Sequence, residues 1–264
     1  MTEAHAPIRK VFGAGEFRSA LKSAAVSKSI VVQTWSSFEE TERFLILAQE
    51  TDFLIGVVGW VDLTSQKVGK CLDDLMSRPE GKWLVGVRHQ VHDEPDSNWL
   101  MRHDVLSGLQ QVEQRGLTYD LLVRPRELPA SIKVAERFPT LRLVVDHIGK
   151  PEIGKDGFDT WFAALQPLAE HRSHVWIKLS GMVTEADWNS WKPDQIRPYI
   201  EAVIKIFGPD RCMLGSDWPV CLLATTYQQT INLVRDVISE LSNEKQDAIL
   251  WKSAASAYRL AARM

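Results

Sequence analysis

The sequence predicts an α/β protein in which parallel strands alternate with helices. Short apolar runs rich in Val, Ile and Leu recur along the whole 264-residue chain. Segments with helical apolar spacing separate these runs, and no linker rich in Pro, Gly or Ser divides the chain. Strands of a parallel sheet covered by helices on both faces have this appearance. The length suits a (β/α)8 barrel of about 250 residues, so we predict one TIM-like barrel domain over residues 1–264.

The predicted elements follow one another in a regular order that begins with a helix. The spacing of Phe17 and Leu21 predicts helix 13–26, and the apolar centre of the next segment predicts strand 27–36. The same patterns predict the further strands 53–63, 84–91, 119–124, 141–147, 175–179 and 211–215. They predict the further helices 39–49, 68–76, 98–115, 129–138, 158–170, 195–207, 226–241 and 244–260.

The first strand of the predicted barrel is missing. The sequence predicts seven strands, whereas a barrel of this type has eight and begins with a strand. Either the start of the chain has lost about twenty residues, the length of one strand and its loop, or this protein lacks the strand. Unpaired strand edges favour association, which would give a homo-oligomer.

The charge and the apolar pattern exclude several classes of partner. The chain has 31 basic and 34 acidic residues, a formal net charge of -3 and a pI near 6.2. No long basic run contains interleaved aromatic residues, so nucleic acids and anionic membranes are poor partners and a small molecule is expected. Residues 1–10 lack the apolar core of a signal peptide, and the longest strongly apolar stretch, 53–61, is too short to cross a bilayer. We therefore predict a cytoplasmic protein.

The cysteines are predicted to be buried free thiols. Cys71, Cys212 and Cys221 are odd in number and form no Cys-x-x-Cys pair. This pattern argues against both a disulfide framework and a zinc site made of thiolates.

Nearly every predicted strand finishes with polar or aromatic side chains. Each of these has an ordinary explanation by itself, since a backbone carbonyl or a surface carboxylate can satisfy a lone His or Arg. In a parallel barrel, however, all of these strand ends lie on one face, so the side chains should converge on one pocket. They are Gln33, Trp35, Trp60, Asp62, Arg88, His89, Arg124, Asp146, His147, Lys178 and Asp217.

Asp217 is the first functional candidate among them. It follows the apolar run 211–214, and Gly215 and Ser216 loosen the backbone immediately before it. A carboxylate at the C-terminal mouth of a strand occupies the place where α/β proteins usually carry their chemistry. An Asp two residues before Pro219 also suits a turn or a helix N-cap, and this alternative is open.

His147 is the best single candidate among the seven histidines. A neutral imidazole at a strand end can ligate a metal, and an imidazole can also donate to a carbonyl oxygen; a core histidine is the alternative. In a regular strand Asp146 points away from the face of His147, and Arg88 and His89 cannot both point inward without a bulge. Four other histidines are predicted to be solvated on loops, helices or helix ends: His92, His103, His171 and His174. His5 is predicted to lie in a mobile tail.

Three tryptophans fall at strand ends. Trp35, Trp60 and Trp218 could form the wall of a pocket that binds a ring. The tryptophans on predicted helices, such as Trp161 and Trp251, are better explained by packing.

Five long segments together carry a family resemblance. They are GVVGWVDL from Gly56, GVRH from Gly86, VVDHIGKP from Val144, KLSGMVTEADW from Lys178 and FGPDRCMLGSDWPV from Phe207. In this order they resemble the amidohydrolase-related, metal-dependent hydrolases of TIM-barrel fold, which include sugar-lactone and other lactone hydrolases. The resemblance extends from about residue 30 to the C-terminus. It implies that Asp217 activates the attacking water and that His147 matches the family's histidine after the sixth strand.

The chain departs from the family pattern at two points. The family's first strand ends in His-x-His, and this sequence contains no such pair; its C-terminal helix has Ser253 and Ala254 where the family usually has Asn-Ala. With a divalent ion such as zinc, His147 and Asp217 would be ligands, and two ligands are fewer than the three that catalytic zinc usually takes. We therefore expect weak or absent metal binding.

The family resemblance implies hydrolysis of a sugar-acid lactone or a related carboxylate-bearing lactone. The reaction requires a base that deprotonates water and positive charge or donors where the oxyanion develops. Asp217 supplies the base. His147, together with Arg88, Arg124 or Lys178, is expected to stabilise the oxyanion. The same cations are expected to bind a substrate carboxylate.

Two alternatives are open. The missing strand favours a non-catalytic or degraded barrel that binds a small acidic ligand without converting it. The same scaffold could also carry out amide hydrolysis or decarboxylation. Turnover of a lactone distinguishes the prediction from both.

Overall fold

The computed structural model describes residues 3–260 and contains seven parallel strands in one sheet. Each strand pairs with the next along the chain, so the order across the sheet is the order in sequence. The predicted α/β class and the seven predicted strands are thereby confirmed. The strands are β1 (Ser29–Val32), β2 (Leu54–Gly59), β3 (Leu84–His89), β4 (Thr118–Leu121), β5 (Leu143–Val145), β6 (Val175–Leu179) and β7 (Cys212–Leu214).

Helices connect the strands, as the apolar spacing predicts. They are α1 (Ala14–Ser23), α2 (Phe38–Glu50), α3 (Val68–Met76), α4 (His103–Gln114), α5 (Leu128–Arg137), α6 (Phe158–Glu170), α7 (Met182–Glu185), α8 (Pro193–Phe207), α9 (Tyr227–Ile238), α10 (Asn243–Asp247) and α11 (Ser253–Ala257). Side-chain caps start two of them: the Ser37 hydroxyl accepts from the Glu40 amide, and Thr226 accepts from the Gln229 amide. None of the helices in residues 3–260 is long and apolar enough to cross a membrane.

Two predicted helices were wrong in their extent. Predicted helix 98–115 begins only at His103, because Arg102 is extended and separates α4 from a 3-10 turn at Trp99–Met101. Predicted helix 244–260 divides into α10, a π-helical turn at Ala248–Lys252, and α11. The apolar spacing is similar in all of these turns, so it does not show where the hydrogen-bonding pattern changes.

The sheet is curled, because side chains from distant strands meet on its inner side. Val58 of β2, Val144 of β5 and Met213 of β7 belong to one buried cluster, which also contains Tyr258 and Leu260 from the end of the chain. A larger buried cluster fills the layer between the sheet and the surrounding helices. The C-terminal segment therefore supplies part of the inner core.

Hydrogen bonds hold this C-terminal segment inside the sheet. The Tyr258 hydroxyl lies 2.8 and 2.9 Å from the two carboxylate oxygens of Asp120. The Ala257 carbonyl accepts from Thr118 Oγ1 at 2.7 Å and from Arg142 Nε at 2.8 Å. Thr118 is the first residue of β4, so the segment closes the N-terminal end of the sheet and leaves the C-terminal end for a site.

The sheet has two unpaired edges. No pairing joins β1 to β7 within residues 3–260, and all four residues of β1 are only half-buried. The three cysteines are free, as predicted; Cys212 and Cys221 are buried, whereas Cys71 is half-buried.

Candidate active site

Two segments that follow strands have backbone in the left-handed region. His147, Ile148 and Lys150 have φ of 51°, 49° and 50°, and Asp217 has φ of 54°. Six non-glycine residues within residues 3–260 have positive φ, and four of the six lie in these two segments. Each such residue costs about 1–3 kcal/mol and persists only where the surrounding structure enforces it, which is most common at functional sites.

Neighbouring residues hold the segment of His147 in this conformation. Trp161 on α6 donates from Nε1 to the Ile148 carbonyl at 2.8 Å. Gly181, after β6, lies against the imidazole so closely that a Cβ there would be 2.7 Å from the ring of His147, and its φ of 70° also favours glycine. The strained segment is thus part of the packed core, and Trp161 has a positioning contact in addition to the packing role predicted for it.

The structure brings His147 and Asp217 together at the C-terminal end of the sheet. His147 Nε2 lies 3.5 Å from Asp217 Oδ1, although the two residues belong to different strand ends. The other ring nitrogen, Nδ1, lies 2.8 Å from the hydroxyl of Ser180. Both side chains are largely buried, with 9% and 15% of their surfaces exposed.

Burial shifts the pKa of both groups toward their neutral forms. It raises the pKa of Asp217 to about 7, against the opposing effect of Lys150 and Arg88. It lowers the pKa of His147 well below its usual value, an effect that the negative charge of Asp146 only partly offsets. A carboxylate with a pKa near neutrality is suited to act as a general base at physiological pH, and His147 is neutral there.

A buried ion-pair network joins side chains of β3, β4 and β6 to Asp146, the residue before His147. Lys178 Nζ is 2.6 Å from both Asp120 Oδ2 and Asp146 Oδ1, and Arg88 is 2.7 Å from Asp146 Oδ2. Burial raises the pKa of Asp120 to about 6 against the effect of Lys178. For Asp146, Lys178 and Arg88 outweigh the effect of burial, so its pKa lies below the usual range.

The network changes the roles expected of two cations. Lys178 is almost fully enclosed by the two carboxylates, so it is placed to hold the interior together rather than to contact a ligand. Arg88 donates to Gln33 Oε1 at 3.2 Å and to the Gln33 carbonyl as well as to Asp146. Gln33 is fully buried, so Arg88 is bound to two interior residues, Gln33 and Asp146.

The prediction that Asp146 and His147 point to opposite faces was wrong. Strand β5 ends at Val145, and the positive φ of His147 turns the backbone. Asp146 therefore enters the ion-pair network while His147 faces Asp217. A regular pleat does not apply beyond the end of a strand.

Arg88 and His89, the last residues of β3, both have partners within the fold. His89 Nδ1 accepts from Trp60 Nε1 at 3.0 Å, and its Nε2 lies 2.7 Å from Glu94 Oε1. Its ring stacks on Trp99 with centroids 4.2 Å apart. With both nitrogens occupied, His89 is a support for Trp60 and not a free base or metal ligand.

The remaining predicted residues lie around the rim. Arg124 is exposed, and its guanidinium has no hydrogen-bond or ion-pair partner in the described part of the chain. Trp35 is 70% exposed, whereas Trp218 is half-buried and stacks on Phe17 with centroids 4.8 Å apart. Of the three tryptophans, Trp35 therefore offers the most free ring surface.

Three histidines that were predicted to be solvated are buried or half-buried. His174 is 5% exposed and lies 3.1 Å from the Ala135 carbonyl through Nε2. His92 is half-buried; burial lowers its pKa to about 4, and Arg124 and Lys150 act in the same direction. His103 is exposed as predicted, and His171 is half-buried beside His174. His5, expected in a mobile tail, lies in a short 3-10 helix with its ring against the edge of Trp188.

Sequence reasoning missed several residues that organise the site. Ser180, Asp120, Glu94 and Tyr258 are polar groups whose partners come from other parts of the chain. Ser180 lies between Lys178 and Gly181 in the segment KLSGMVTEADW, and this adjacency is the signal by which the sequence could have identified it. Lys150, which forms an ion pair with Glu185 at the same end of the sheet, was also missed.

The donor set does not fit a three-ligand zinc centre. Within residues 3–260, no three His, Cys, Asp or Glu side chains are grouped so that they could hold a metal ion. His147 and Asp217 are two donors, Asp146 is held by Lys178 and Arg88, and both nitrogens of His89 are occupied. Catalytic zinc sites usually have three protein ligands.

Comparison with known proteins identifies relatives over most of the chain. A family model described as Amidohydrolase matches residues 4–260. An L-fucono-1,5-lactonase of Burkholderia multivorans is 37% identical over 251 residues, which cover 91% of this chain and 83% of that protein. An L-fucono-1,5-lactonase of Burkholderia ambifaria is 36% identical over 219 residues, or 82% and 73% of the two chains.

Solved structures agree with this relationship. The crystal structure of an amidohydrolase from Burkholderia multivorans with bound zinc superposes with a TM-score of 0.92 at 33% identity, covering 98% of this chain and 92% of that one. The crystal structure of a Burkholderia multivorans amidohydrolase with bound HEPES also superposes with a TM-score of 0.92, at 32% identity and with the same coverage of both chains.

Proposed function

The chain belongs to the amidohydrolase family, and on this premise we propose that it hydrolyses a sugar-acid lactone, with L-fucono-1,5-lactone as the first candidate substrate. The chain is a hydrolase by its family. The two Burkholderia relatives, which are 36% and 37% identical to it, are L-fucono-1,5-lactonases. Within the proposal, the curled sheet is a (β/α)8 barrel without its first strand, and the protein acts on a small molecule in the cytoplasm.

The observation that carries the proposal is the pair formed by Asp217 and His147. A carboxyl group whose pKa is raised to about 7 by burial lies 3.5 Å from a neutral, buried imidazole at the open end of the sheet. Both residues have strained backbones, which is expected where a fold positions groups for chemistry.

In the proposed reaction Asp217 acts as the general base. It removes a proton from water while the water oxygen bonds to the lactone carbonyl carbon, and the carbonyl oxygen becomes an oxyanion. Collapse of this intermediate breaks the bond between the carbonyl carbon and the ring oxygen, which takes the proton from Asp217. The product is the open hydroxy acid, which ionises to a carboxylate.

The remaining residues supply binding and charge stabilisation. His147 is placed to donate to the oxyanion, and the unpaired guanidinium of Arg124 supplies positive charge at the rim. Trp35 exposes a ring on which the apolar face of a sugar could lie. No step is assigned to zinc, because the donors in this chain are too few for its usual site.

A direct experiment tests the proposal. The purified protein is incubated with a panel of aldonolactones that includes L-fucono-1,5-lactone, and acid release is followed with a pH indicator in weak buffer, with the spontaneous rate subtracted. The proposal expects acid release from at least one lactone at a rate proportional to enzyme concentration. Tight binding of a lactone or sugar acid without turnover would instead support the non-catalytic alternative.

A further inference from the structure

Ser180 is a buried hydroxyl that contacts the site without facing its open side. It follows β6 directly and is 1% exposed. Its Oγ lies 2.8 Å from His147 Nδ1, and its hydroxyl has no other hydrogen-bond partner in the described part of the chain. An ideal Cβ at Gly215 would lie 2.9 Å from the Cβ of Ser180, so the side chain is enclosed on that side too.

The burial of Ser180 determines the direction of its hydrogen bond. If Ser180 donates to Nδ1, its hydroxyl hydrogen is satisfied and the imidazole proton lies on Nε2. If instead Nδ1 carries the proton and donates to Oγ, the hydroxyl hydrogen remains buried without an acceptor. Leaving a buried polar group unsatisfied costs about 1–3 kcal/mol, so donation from Ser180 is the stable arrangement.

The position of Asp217 selects the same tautomer independently. Its Oδ1 lies 3.5 Å from His147 Nε2. In the ionised form that the proposed reaction requires, this oxygen can only accept a hydrogen bond. An Nε2 that carries a proton is attracted to it, whereas an Nε2 that presents its lone pair is repelled.

We infer that Ser180 is a positioning residue that holds His147 in the tautomer with the proton on Nε2. This inference deepens the proposed function, on which its catalytic consequence rests. In this tautomer Nε2 is a hydrogen-bond donor, so His147 stabilises the oxyanion and neither removes a proton from water nor ligates a metal through Nε2. Asp217 is then left as the base of the pair.

The tautomer can be measured without any substrate. Histidine labelled with nitrogen-15 is incorporated into the full chain, and two-bond proton–nitrogen correlation spectra show which ring nitrogen carries the proton. His147 is assigned by its absence from the spectrum of the His147→Gln variant. For the wild-type protein the inference expects a protonated Nε2 and an unprotonated, hydrogen-bonded Nδ1; a protonated Nδ1 with a bare Nε2 would overturn it.

Substitution of Ser180 tests whether its hydroxyl holds His147 in this tautomer. In Ser180→Ala we expect the Nδ1 resonance to move toward that of a nitrogen without a hydrogen bond, and kcat to fall by about 10- to 100-fold, as for other groups that orient a functional histidine. KM should change by less than about twofold, because Ser180 does not face the substrate. Ser180→Cys keeps a weak donor and should recover part of kcat.

A second buried serine provides the matched control. Ser253 on α11 is 1% exposed and donates to the Pro209 carbonyl at 3.0 Å, so Ser253→Ala loses a comparable hydrogen bond away from the site. It should leave the His147 resonances and kcat unchanged. If Ser180→Ala leaves both the Nδ1 resonance and kcat as in wild type, the role of Ser180 is refuted. Failure of every lactone to react would refute the proposed function, while the wild-type spectrum would still decide the tautomer.

Discussion

Replacing Asp217 by Asn gives the sharpest test of the proposed base. The amide is nearly the same size as the carboxylate but cannot take a proton from water. General bases typically contribute about 10²- to 10⁴-fold to a rate, so we expect a loss of kcat/KM of that size for lactone hydrolysis. The assay is acid release from the best lactone of the panel at pH 8.

The pH dependence of the wild-type enzyme is part of the same prediction. Burial raises the pKa of Asp217 to about 7, and the base form is the ionised one. About one tenth of the molecules are ionised at pH 6 and about nine tenths at pH 8, so kcat/KM should rise about tenfold between these values. The value of kcat/KM therefore falls as the pH drops below 7, and this acidic limb of the pH profile should be absent in Asp217→Asn.

Although Asp217→Asn should lower the activity, it should raise the stability of the fold at pH 8. Because the pKa of Asp217 is raised in the folded state, that state binds more protons than the unfolded chain between about pH 4 and 7, and stability falls as pH rises through this range. At pH 8 the buried charge costs the wild-type protein about 2–4 kcal/mol, at about 1.4 kcal/mol per unit of pKa shift and with allowance for the remaining exposure. Asp217→Asn should therefore unfold at a higher urea concentration than wild type at pH 8, and the difference should shrink at pH 5.

A matched acid serves as the control. Glu152 is on an exposed loop after β5 with its carboxylate 3.0 Å from Lys155, and Glu152→Gln should keep the wild-type activity and pH profile. The reasoning is refuted if Asp217→Asn retains more than about a tenth of wild-type kcat/KM, or if the acidic limb persists in the variant.

Three further predictions concern the interior, the rim and the metal. Tyr258→Phe removes a hydroxyl that donates to the buried Asp120 carboxylate and should lower the free energy of unfolding by about 1.5–3 kcal/mol. Tyr119→Phe is its control in the same urea titration, because the Tyr119 hydroxyl is buried without a partner in the described residues and its loss should cost nothing. Arg124→Gln should raise KM for the lactone more than it lowers kcat, since its side chain is exposed at the rim; an unchanged KM in initial-rate measurements would remove Arg124 from substrate binding. Dialysis against a chelator should leave kcat/KM unchanged, because the site offers two donors where zinc usually takes three, and activity that is lost and then restored by added zinc would contradict this.

The order of strands and helices could be predicted from the sequence because it depends on local apolar periodicity. Helices α3 and α6 and strand β6 agree with their predicted limits at both ends. The end of β5 was placed two residues too late, because the backbone of His147 turns through positive φ. No apolar pattern records that turn, which the fold enforces through contacts with α6 and Gly181.

The candidate site was predictable to the extent that strand ends of a parallel sheet converge. This rule placed Asp217 and His147 at one end, and the structure puts them 3.5 Å apart. It could not show that Lys178 is enclosed by Asp120 and Asp146, since these partners are 58 and 32 positions away in the sequence. Nor could it identify Ser180, whose importance depends on a contact across β5 and β6.

The sequence by itself therefore determined the class of fold, the family and the residue types available for chemistry. Tertiary structure decided which of those residues are free to act. The physical reason is that periodicity and motifs are properties of neighbouring residues, whereas the state of a charged group depends on everything that surrounds it. Arg88 and Arg124 both lie at predicted strand ends in the sequence. In the structure, Arg88 forms an ion pair with Asp146 in the interior, whereas Arg124 is exposed at the rim.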